Sequence, residues 1–148
     1  MISISSGFGR LAGRCLPSRP SYNPDISKTQ LYVNKAFFLD RDGTINVDYD
    51  FVHKPSEWTF CEGAPEAIRI LNEQGFKVIV VTNQSGIARG HFTLKQVEQL
   101  HQWVNEQLAE HHARIDAFYV APHHPKFDTE RAYDPSDRKP GTGMFRKA

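Results

Sequence analysis

The sequence predicts an α/β fold, a Rossmann-like three-layer sandwich built on a mainly parallel sheet. Two largely apolar runs rich in aromatic and β-branched residues, 36–39 and 76–83, flank a segment with helical periodicity. Strands covered by helices on both faces are almost continuously apolar, as these runs are. A strand, a helix and a second parallel strand form a right-handed crossover, which brings the ends of both strands to one edge of the sheet.

Composition indicates one small globular domain with no charge bias towards a polyanionic partner. The chain has 148 residues, 18 basic against 17 acidic, and a formal net charge of +1. This balance favours neither nucleic acid nor an anionic membrane as a partner, so local charges must hold any anion. Cys15 and Cys61 are the only cysteines in the sequence, which suits a reducing, cytoplasmic location. Since no apolar run reaches about 18 residues, we expect no membrane span, and we expect a monomer.

Residues 1–33 differ in composition from the rest of the chain. They are rich in Ser, Gly and Pro, and they carry Arg10, Arg14 and Arg19 with no acidic residue before Asp25. Such a segment is typical of an organelle-targeting leader, or it is a disordered extension, including one produced by an upstream start site. We favour the extension, and we place the folded domain at 34–148.

The first strand leads directly into two carboxylates. Asp40 and Asp42 follow the run 36–39, and Gly43 lets the backbone turn sharply after them. Open α/β sheets place their ligand crevice at the carboxyl ends of the strands, so both side chains can reach one small volume there. Crowded carboxylates repel each other unless a cation or a shared proton lies between them. We therefore expect Asp40 and Asp42 to bind a hard divalent ion, with Mg²⁺ the first choice.

The loop 47–55 mixes aromatic and charged residues immediately downstream of these carboxylates. It either folds over the crevice and selects substrates, as loops on a rigid scaffold often do, or it is an ordinary connection with some buried aromatic residues. The segment 58–60 is either a short strand or packing beneath this loop.

Residues typical of helix ends occur in two places. The first helix is bracketed by Gly63 and Gly75, with Pro65 in its first turn. The second starts at Thr93, where Gln96 three residues later completes a capping box. A third strand is predicted at 116–121. The histidines on or just after the second helix are expected to be solvated, and these are His101, His111 and His112.

Polar residues suited to a phosphoryl group follow the second strand. Thr82, Asn83, Gln84 and Ser85 supply hydroxyls and amides, and Gly86 frees backbone N–H groups to approach an anion. Arg89 follows shortly afterwards. It either reaches a second anionic group on the substrate or is a solvated surface arginine, and the sequence leaves both readings open.

These segments together resemble the haloacid dehalogenase-like phosphatases. The resemblance is carried by FLDRDGTIN, TNQSGIARG, PHHP and RKPGTGM, in that order along the chain. In this family the first Asp attacks phosphorus to form an aspartyl-phosphate, and the second acts as general acid and base. The resemblance implies that Asp40 is the nucleophile, Asp42 the acid/base and Lys139 the cation that neutralises the phosphoryl charge.

Within the family, the motifs are most similar to the branch of heptose-bisphosphate and histidinol-phosphate phosphatases, and GIARG favours the heptose side. The implied reaction is Mg²⁺-dependent removal of the C7 phosphate of D-glycero-D-manno-heptose 1,7-bisphosphate, in lipopolysaccharide or surface-glycan synthesis. A histidinol-phosphate phosphatase and a non-catalytic sugar-phosphate-binding remnant remain as alternatives. The implied substrate contacts are Asp40, Arg41, Asp42, Asp48, Tyr49, Asp50, Phe51, Thr82, Asn83, Gln84, Ser85, Arg138 and Lys139.

Two departures from the family pattern affect metals. The family's zinc loop pairs Cys-x-His with Cys-x-Cys, whereas Ala121, His123, Pro135 and Asp137 stand at the matching positions, so we predict no zinc. The family has a fourth motif, Gly-Asp-x-x-x-Asp, which is expected after RKPGTGM but is not found before Ala148. We expect a fragment, a truncated product or a degenerate relative, with weakened Mg²⁺ binding and an exposed sheet edge at an incomplete C-terminus.

Overall fold

The computed structural model describes residues 35–127 and 134–148 and contains the predicted alternation of strands and helices. The predicted leader or disordered extension at 1–33 lies outside the described residues, as does part of the polar loop after the third strand. In the described ranges, no helix is long and apolar enough to cross a bilayer.

The sheet has three parallel strands in the order β1, β2, β3. β1 is Lys35–Leu39, β2 is Phe76–Asn83 and β3 is Ala117–Ala121. Leu39 pairs with Val80, and Asn83 pairs with Ala121. The predicted parallel sheet is therefore confirmed, and the segments after all three strands emerge at one edge, where the predicted site residues lie.

Both faces of β2 are covered, which is why its sequence is apolar on both sides. Val78 and Val80 belong to the main core, together with Ile68 of one helix and apolar side chains of a second. Val81 points the other way, into a smaller cluster with Ala121 and Met144. The smaller cluster involves α3, Gly143–Lys147.

The first helix, α1, spans Ala64–Glu73 and begins where the sequence predicts. Gly63 is its N-cap with φ 75°, a left-handed conformation that favours glycine, and Pro65 lies in the first turn. Ile68 is its buried residue and faces the main core. The connection between β1 and β2 is thus a crossover that passes through one α-helix.

The second helix, α2, spans Leu94–Glu110 and carries the predicted capping box. The Thr93 side chain accepts from the Gln96 backbone N–H, and the Gln96 side chain accepts from the Thr93 backbone N–H. The solvated position predicted for His101 is wrong: the side chain is 4% exposed and stacks on Phe118 with ring centroids 4.1 Å apart. The buried stripe of this helix is one residue wider than the aliphatic pattern alone indicates, since it runs through His101 between Val97 and Val104.

The segment 58–60 is packing rather than a strand. Trp58 belongs to the main core, and Phe60 forms one isolated antiparallel bridge with Asn46. Short 3-10 turns occur at Pro55–Glu57 and Pro135–Asp137. In the described part of the chain β1 is hydrogen-bonded on one side only, and Phe37 and Phe38 on it are 43% and 39% exposed.

Candidate active site

Asp40 is the first residue after β1, and its carboxylate is accessible. The side chain is 46% exposed. Oδ1 accepts from the backbone N–H of Arg41 at 2.8 Å, and Oδ2 lies 2.6 Å from Nζ of Lys139. An ionised carboxylate next to a fixed ammonium group, open on one side, is suited to attack an anionic phosphorus centre.

Neighbouring residues hold Lys139 through both its backbone groups and its side chain. Nζ also donates to the carbonyl of Val81 at 2.9 Å. The Asn83 amide bonds both backbone groups of Lys139, accepting from its N–H at 3.0 Å and donating to its carbonyl at 3.2 Å. Two residues at the end of β2 therefore place the ammonium group against Asp40. Asn83, predicted to bind substrate, uses its amide here as a clamp on Lys139.

Asp42 is fixed by donors from three side chains. Arg41 donates from Nε at 3.0 Å and from Nη2 at 2.8 Å to Oδ1, and Asn46 Nδ2 donates to Oδ1 at 3.1 Å. Gln84 Nε2 donates to Oδ2 at 2.7 Å. Hydrogen bonds from several donors hold a carboxylate in one rotamer. The Asp42 side chain is therefore fixed in advance, two residues after Asp40.

Arg41 stands between the two carboxylates in sequence, but its side chain does not face the crevice. It is fully buried, donates from Nη2 to the Val52 carbonyl at 2.7 Å, and has its guanidinium carbon 5.9 Å from the Trp58 ring centroid. This burial argues against the substrate contact predicted for the side chain. The guanidinium instead joins Asp42 to the loop 47–55, because a buried charge must find partners inside the protein.

A tight turn aims these groups. The Arg41 carbonyl accepts from the backbone N–H of Ile45 at 2.8 Å, and the Gly43 N–H donates to the Asn46 carbonyl at 2.8 Å. Gly43 has φ 74°, which a residue with a Cβ adopts only with strain. The predicted role of this glycine in the turn is confirmed.

Thr82 and Gln84 link the second strand to the first. Thr82 Oγ1 accepts from Gln84 Nε2 at 2.9 Å, and both side chains are buried. The Gln84 backbone N–H donates to the Ala121 carbonyl at 2.8 Å, which ties the turn to β3. Gln84 therefore contacts Asp42 rather than open solvent. Phosphoryl binding by Thr82 and Ser85 stays a prediction.

The loop 47–55 lines a cleft of its own. Asp48 Oδ1 accepts from the Asp50 N–H at 3.0 Å, and Asp50 and Phe51 have φ of 62° and 54°. Asp50 and Phe51, together with Tyr49 and His91, line an open cleft of about 610 Å³. The substrate contacts predicted for this loop stay predictions. A separate groove of about 540 Å³ between α2 and β3 contains none of the predicted site residues.

Arg138 immediately precedes Lys139, and its Nη1 donates to the His123 carbonyl at 3.1 Å. The contact connects this segment to the loop after β3. Substrate binding by Arg138 stays a prediction.

The donor set fits Mg²⁺ through one side-chain carboxylate. Mg²⁺ takes oxygen ligands, keeps several waters and needs only one or two carboxylates. The exposed face of Asp40 satisfies this requirement, whereas the Asp42 carboxylate, predicted as a second ligand, is already occupied by donors. Within the ranges that the structure covers, no group of three or more His, Cys, Asp or Glu residues converges on a metal-sized gap. The predicted lack of zinc stays a prediction.

Sequence reasoning missed several supporting groups. Asn46 and the Val81 carbonyl hold Asp42 and Lys139 respectively, although neither was assigned a role. Asn46 belongs to the motif FLDRDGTIN, so its closeness in sequence to Asp40 and Asp42 could have indicated a supporting role. A backbone carbonyl leaves no signal in the sequence.

The residues of this site fall within a region shared with known proteins. The sequence model described as Polynucleotide kinase 3 phosphatase matches residues 35–148, which include every residue of the site. The chain belongs to this family. The resemblance to haloacid dehalogenase-like phosphatases is confirmed by a solved structure called a putative had-like phosphatase, from Mesorhizobium loti, with a TM-score of 0.71 and 35% identity. It covers 93% of this chain and 60% of that chain.

Two named relatives of this chain carry the same enzyme name. The chain is 45% identical over 116 residues to the D-glycero-beta-D-manno-heptose-1,7-bisphosphate 7-phosphatase of Haemophilus influenzae, covering 78% of this chain and 63% of that protein. It is 47% identical over 114 residues to the same enzyme of Escherichia coli K12, covering 76% and 60%. The chain therefore spans about three fifths of the length of these relatives.

A solved structure of similar sequence contains ligands. It is a D,D-heptose 1.7-bisphosphate phosphatase from B. bronchiseptica complexed with magnesium and phosphate. It matches with a TM-score of 0.67 and 38% identity, covering 76% of this chain and 60% of that chain.

Proposed function

We propose that the protein is a Mg²⁺-dependent phosphomonoesterase that removes the C7 phosphate of D-glycero-D-manno-heptose 1,7-bisphosphate through an aspartyl-phosphate. The observation that carries this proposal is the half-exposed Asp40 carboxylate, 2.6 Å from Lys139 Nζ and beside the fixed side chain of Asp42. The names of the relatives support the substrate, and the neighbour with bound magnesium and phosphate supports the metal.

The first step forms a covalent intermediate on Asp40. An Asp40 oxygen attacks phosphorus, the P–O bond to C7 breaks, and the electron pair leaves with the sugar oxygen. Lys139 offsets the charge of the incoming phosphoryl group as the two anions approach. Mg²⁺, held by the exposed face of Asp40, would screen the same charge when bound.

Asp42 handles the protons in both steps. A protonated Asp42 donates to the leaving sugar oxygen, and the resulting carboxylate then takes a proton from the water that hydrolyses the aspartyl-phosphate. Protonation requires one Asp42 oxygen to lose a donor. Gln84 is suited to release it, since its Nε2 has a second acceptor in Thr82 Oγ1 at 2.9 Å.

The wider context is part of the same proposal. The low cysteine content supports a cytoplasmic location, and the balanced charge supports a small sugar phosphate rather than nucleic acid as the partner. We propose that a monomer acts in lipopolysaccharide or surface-glycan synthesis.

Release of inorganic phosphate from the heptose bisphosphate, with the purified chain and Mg²⁺, tests the proposal. Histidinol phosphate and a 3′-phosphorylated oligonucleotide test the competing substrate classes. We expect the heptose bisphosphate to be preferred, and Asp40→Asn to reduce turnover to background because the amide cannot attack. Glu62→Gln, which makes the same carboxyl-to-amide change at an exposed position, keeps wild-type turnover. Turnover by Asp40→Asn at the wild-type rate excludes Asp40 as the nucleophile.

A further inference from the structure

Arg89 is the meeting point of the loops that follow all three strands. It lies in the loop after β2, where its backbone N–H donates to the Ser85 carbonyl at 3.1 Å. Its guanidinium carbon lies 4.2 Å from the ring centroid of Phe127, in the loop after β3, and 5.8 Å from that of Phe51, in the loop after β1. Two aromatic rings from different loops thus hold one cation at the edge of the sheet that carries Asp40.

Among the residues that the structure describes, no group accepts a hydrogen bond from the guanidinium N–H donors of Arg89. Stacking on an aromatic ring uses the face of a guanidinium group, whereas its N–H donors point outward in the plane. Arg41, Arg69 and Arg114 each pair with a carboxylate, but Arg89 has no carboxylate partner among residues 35–127 and 134–148. An exposed, oriented arginine without an internal anion is suited to bind an external one.

Other cations reinforce the charge around Arg89. The pKa of His124 lies below its ordinary value because of partial desolvation and because the positive charges of Arg138, Arg89 and Lys126 act on it. His124 Nδ1 accepts from the Lys126 backbone N–H at 3.2 Å, which is consistent with a neutral ring. The region around His124 therefore has a positive potential to which Arg89, Arg138 and Lys126 contribute.

We propose that the Arg89 guanidinium binds the phosphate that is not cleaved, the C1 phosphate of the bisphosphate substrate. Lys139 faces Asp40, so it serves the phosphate being transferred, and a second dianion needs a cation of its own. Arg89 is then a specificity-determining residue that distinguishes a bisphosphate from a monophosphate. This proposal rests on the proposed function, since it assigns a contact to the same substrate.

Kinetics with two matched substrates test the contact. Heptose 1,7-bisphosphate and heptose 7-phosphate share the scissile bond and differ only in the C1 phosphate. Arg89→Met keeps an unbranched chain between the two rings and removes the charge. We expect kcat/KM for the bisphosphate to fall about 10- to 100-fold, mainly through KM, because charge-assisted hydrogen bonds are lost. The value for the monophosphate should change less than about twofold, and Arg89→Lys should recover part of the loss.

The control is Arg146→Met, the same change at an exposed position of α3, which should alter neither substrate. A parallel fall for both substrates in Arg89→Met means that the residue only supports the loops, and it overturns the proposal. No change for either substrate overturns it equally.

Binding separates this proposal from the proposed function. Calorimetry on Asp40→Asn should show tighter binding of the bisphosphate than of the monophosphate, and Asp40→Asn with Arg89→Met should lose that preference. If the preference is present but the wild-type chain releases no phosphate, the hydrolase proposal fails and the Arg89 contact stands. Equal affinities in Asp40→Asn, with Arg89 intact, overturn the contact whatever the turnover.

Discussion

At the scale of single residues, the two carboxylates differ in their supporting contacts. Asp40 keeps an exposed face next to one ammonium group, whereas Asp42 is enclosed by Arg41, Asn46 and Gln84. The two side chains stand two positions apart and share a turn, and their surroundings match the roles proposed for them, attack for Asp40 and proton transfer for Asp42. Their neighbours, rather than their residue type, separate these proposed roles.

Gln84 gives this statement a residue-scale test. Gln84→Ala removes the donors to Asp42 Oδ2 and Thr82 Oγ1, so Asp42 loses part of its orientation. We expect kcat to fall about 10- to 100-fold, as is typical when a general acid or base is impaired, with a smaller change in KM. Stability should fall by about 1–3 kcal/mol, since a buried amide and its bonds are lost. Steady-state kinetics and urea unfolding measure both effects.

Gln99→Ala is the matched control, since Gln99 is exposed on α2. It should change neither kcat nor the urea midpoint. If Gln84→Ala raises KM alone and leaves kcat intact, Gln84 contacts the substrate, as the sequence alone suggested, and does not position Asp42.

At the scale of elements, residues typical of helix ends made the positions of the helices predictable. Gly63, Pro65 and the Thr93 capping box act locally, through backbone conformation and hydrogen bonds within one turn, so the sequence determines their effect. The burial of Arg41 and His101 could not be read from the sequence, because it depends on partners distant in the chain, Val52 and Phe118. Periodicity identifies the apolar face of an element, but it does not say which polar residue packs into that face.

The loop after β2 supplies the test at this scale. Gly86 is buried, and a Cβ there would collide with the ring of Phe92 and lie 3.1 Å from Cδ1 of Phe51. Gly86→Ala must displace Phe92, itself stacked on His53 with centroids 4.7 Å apart. We expect a loss of about 1–3 kcal/mol in the free energy of unfolding, as for other overpacking changes, with reduced turnover.

Gly90→Ala, in the same loop, isolates the steric effect. Gly90 has φ 77°, but no neighbouring atom lies within 4 Å of the position that a Cβ would take, so that change costs only backbone strain, about 1 kcal/mol. Thermal unfolding of both variants compares the two costs. A Gly86→Ala protein as stable and active as the wild type would show that Phe92 does not pack tightly against this loop.

At the scale of the whole molecule, one buried imidazole couples stability to pH. Burial lowers the pKa of His101 from 6.5 to about 3, and the Arg41 charge lowers it further than the Asp42 charge restores it. Below pH 6.5 the unfolded chain binds a proton at this position that the native protein does not bind until about pH 3. The contribution of His101 is therefore complete above pH 6.5 and is lost as the pH falls, by roughly 1.4 kcal/mol per unit.

Urea unfolding between about pH 7.5 and about 4.5 measures this slope. His101→Leu removes the buried imidazole, so its stability should depend less steeply on pH than that of the wild type. His111→Leu, at an exposed position one turn beyond the end of the buried stripe, should retain the wild-type slope. Equal slopes for all three proteins would mean that His101 titrates normally in the folded state.

Arg41 also bridges two regions that a substrate would meet separately. One guanidinium nitrogen, Nη2, bonds both the Asp42 carboxylate and the Val52 carbonyl of the loop that lines the neighbouring cleft. Under the proposed function, a ligand that displaces this loop also displaces Asp42, the proposed proton donor. A poorly fitting sugar phosphate would then slow the chemical step as well as bind less well, so part of the selectivity would act after binding.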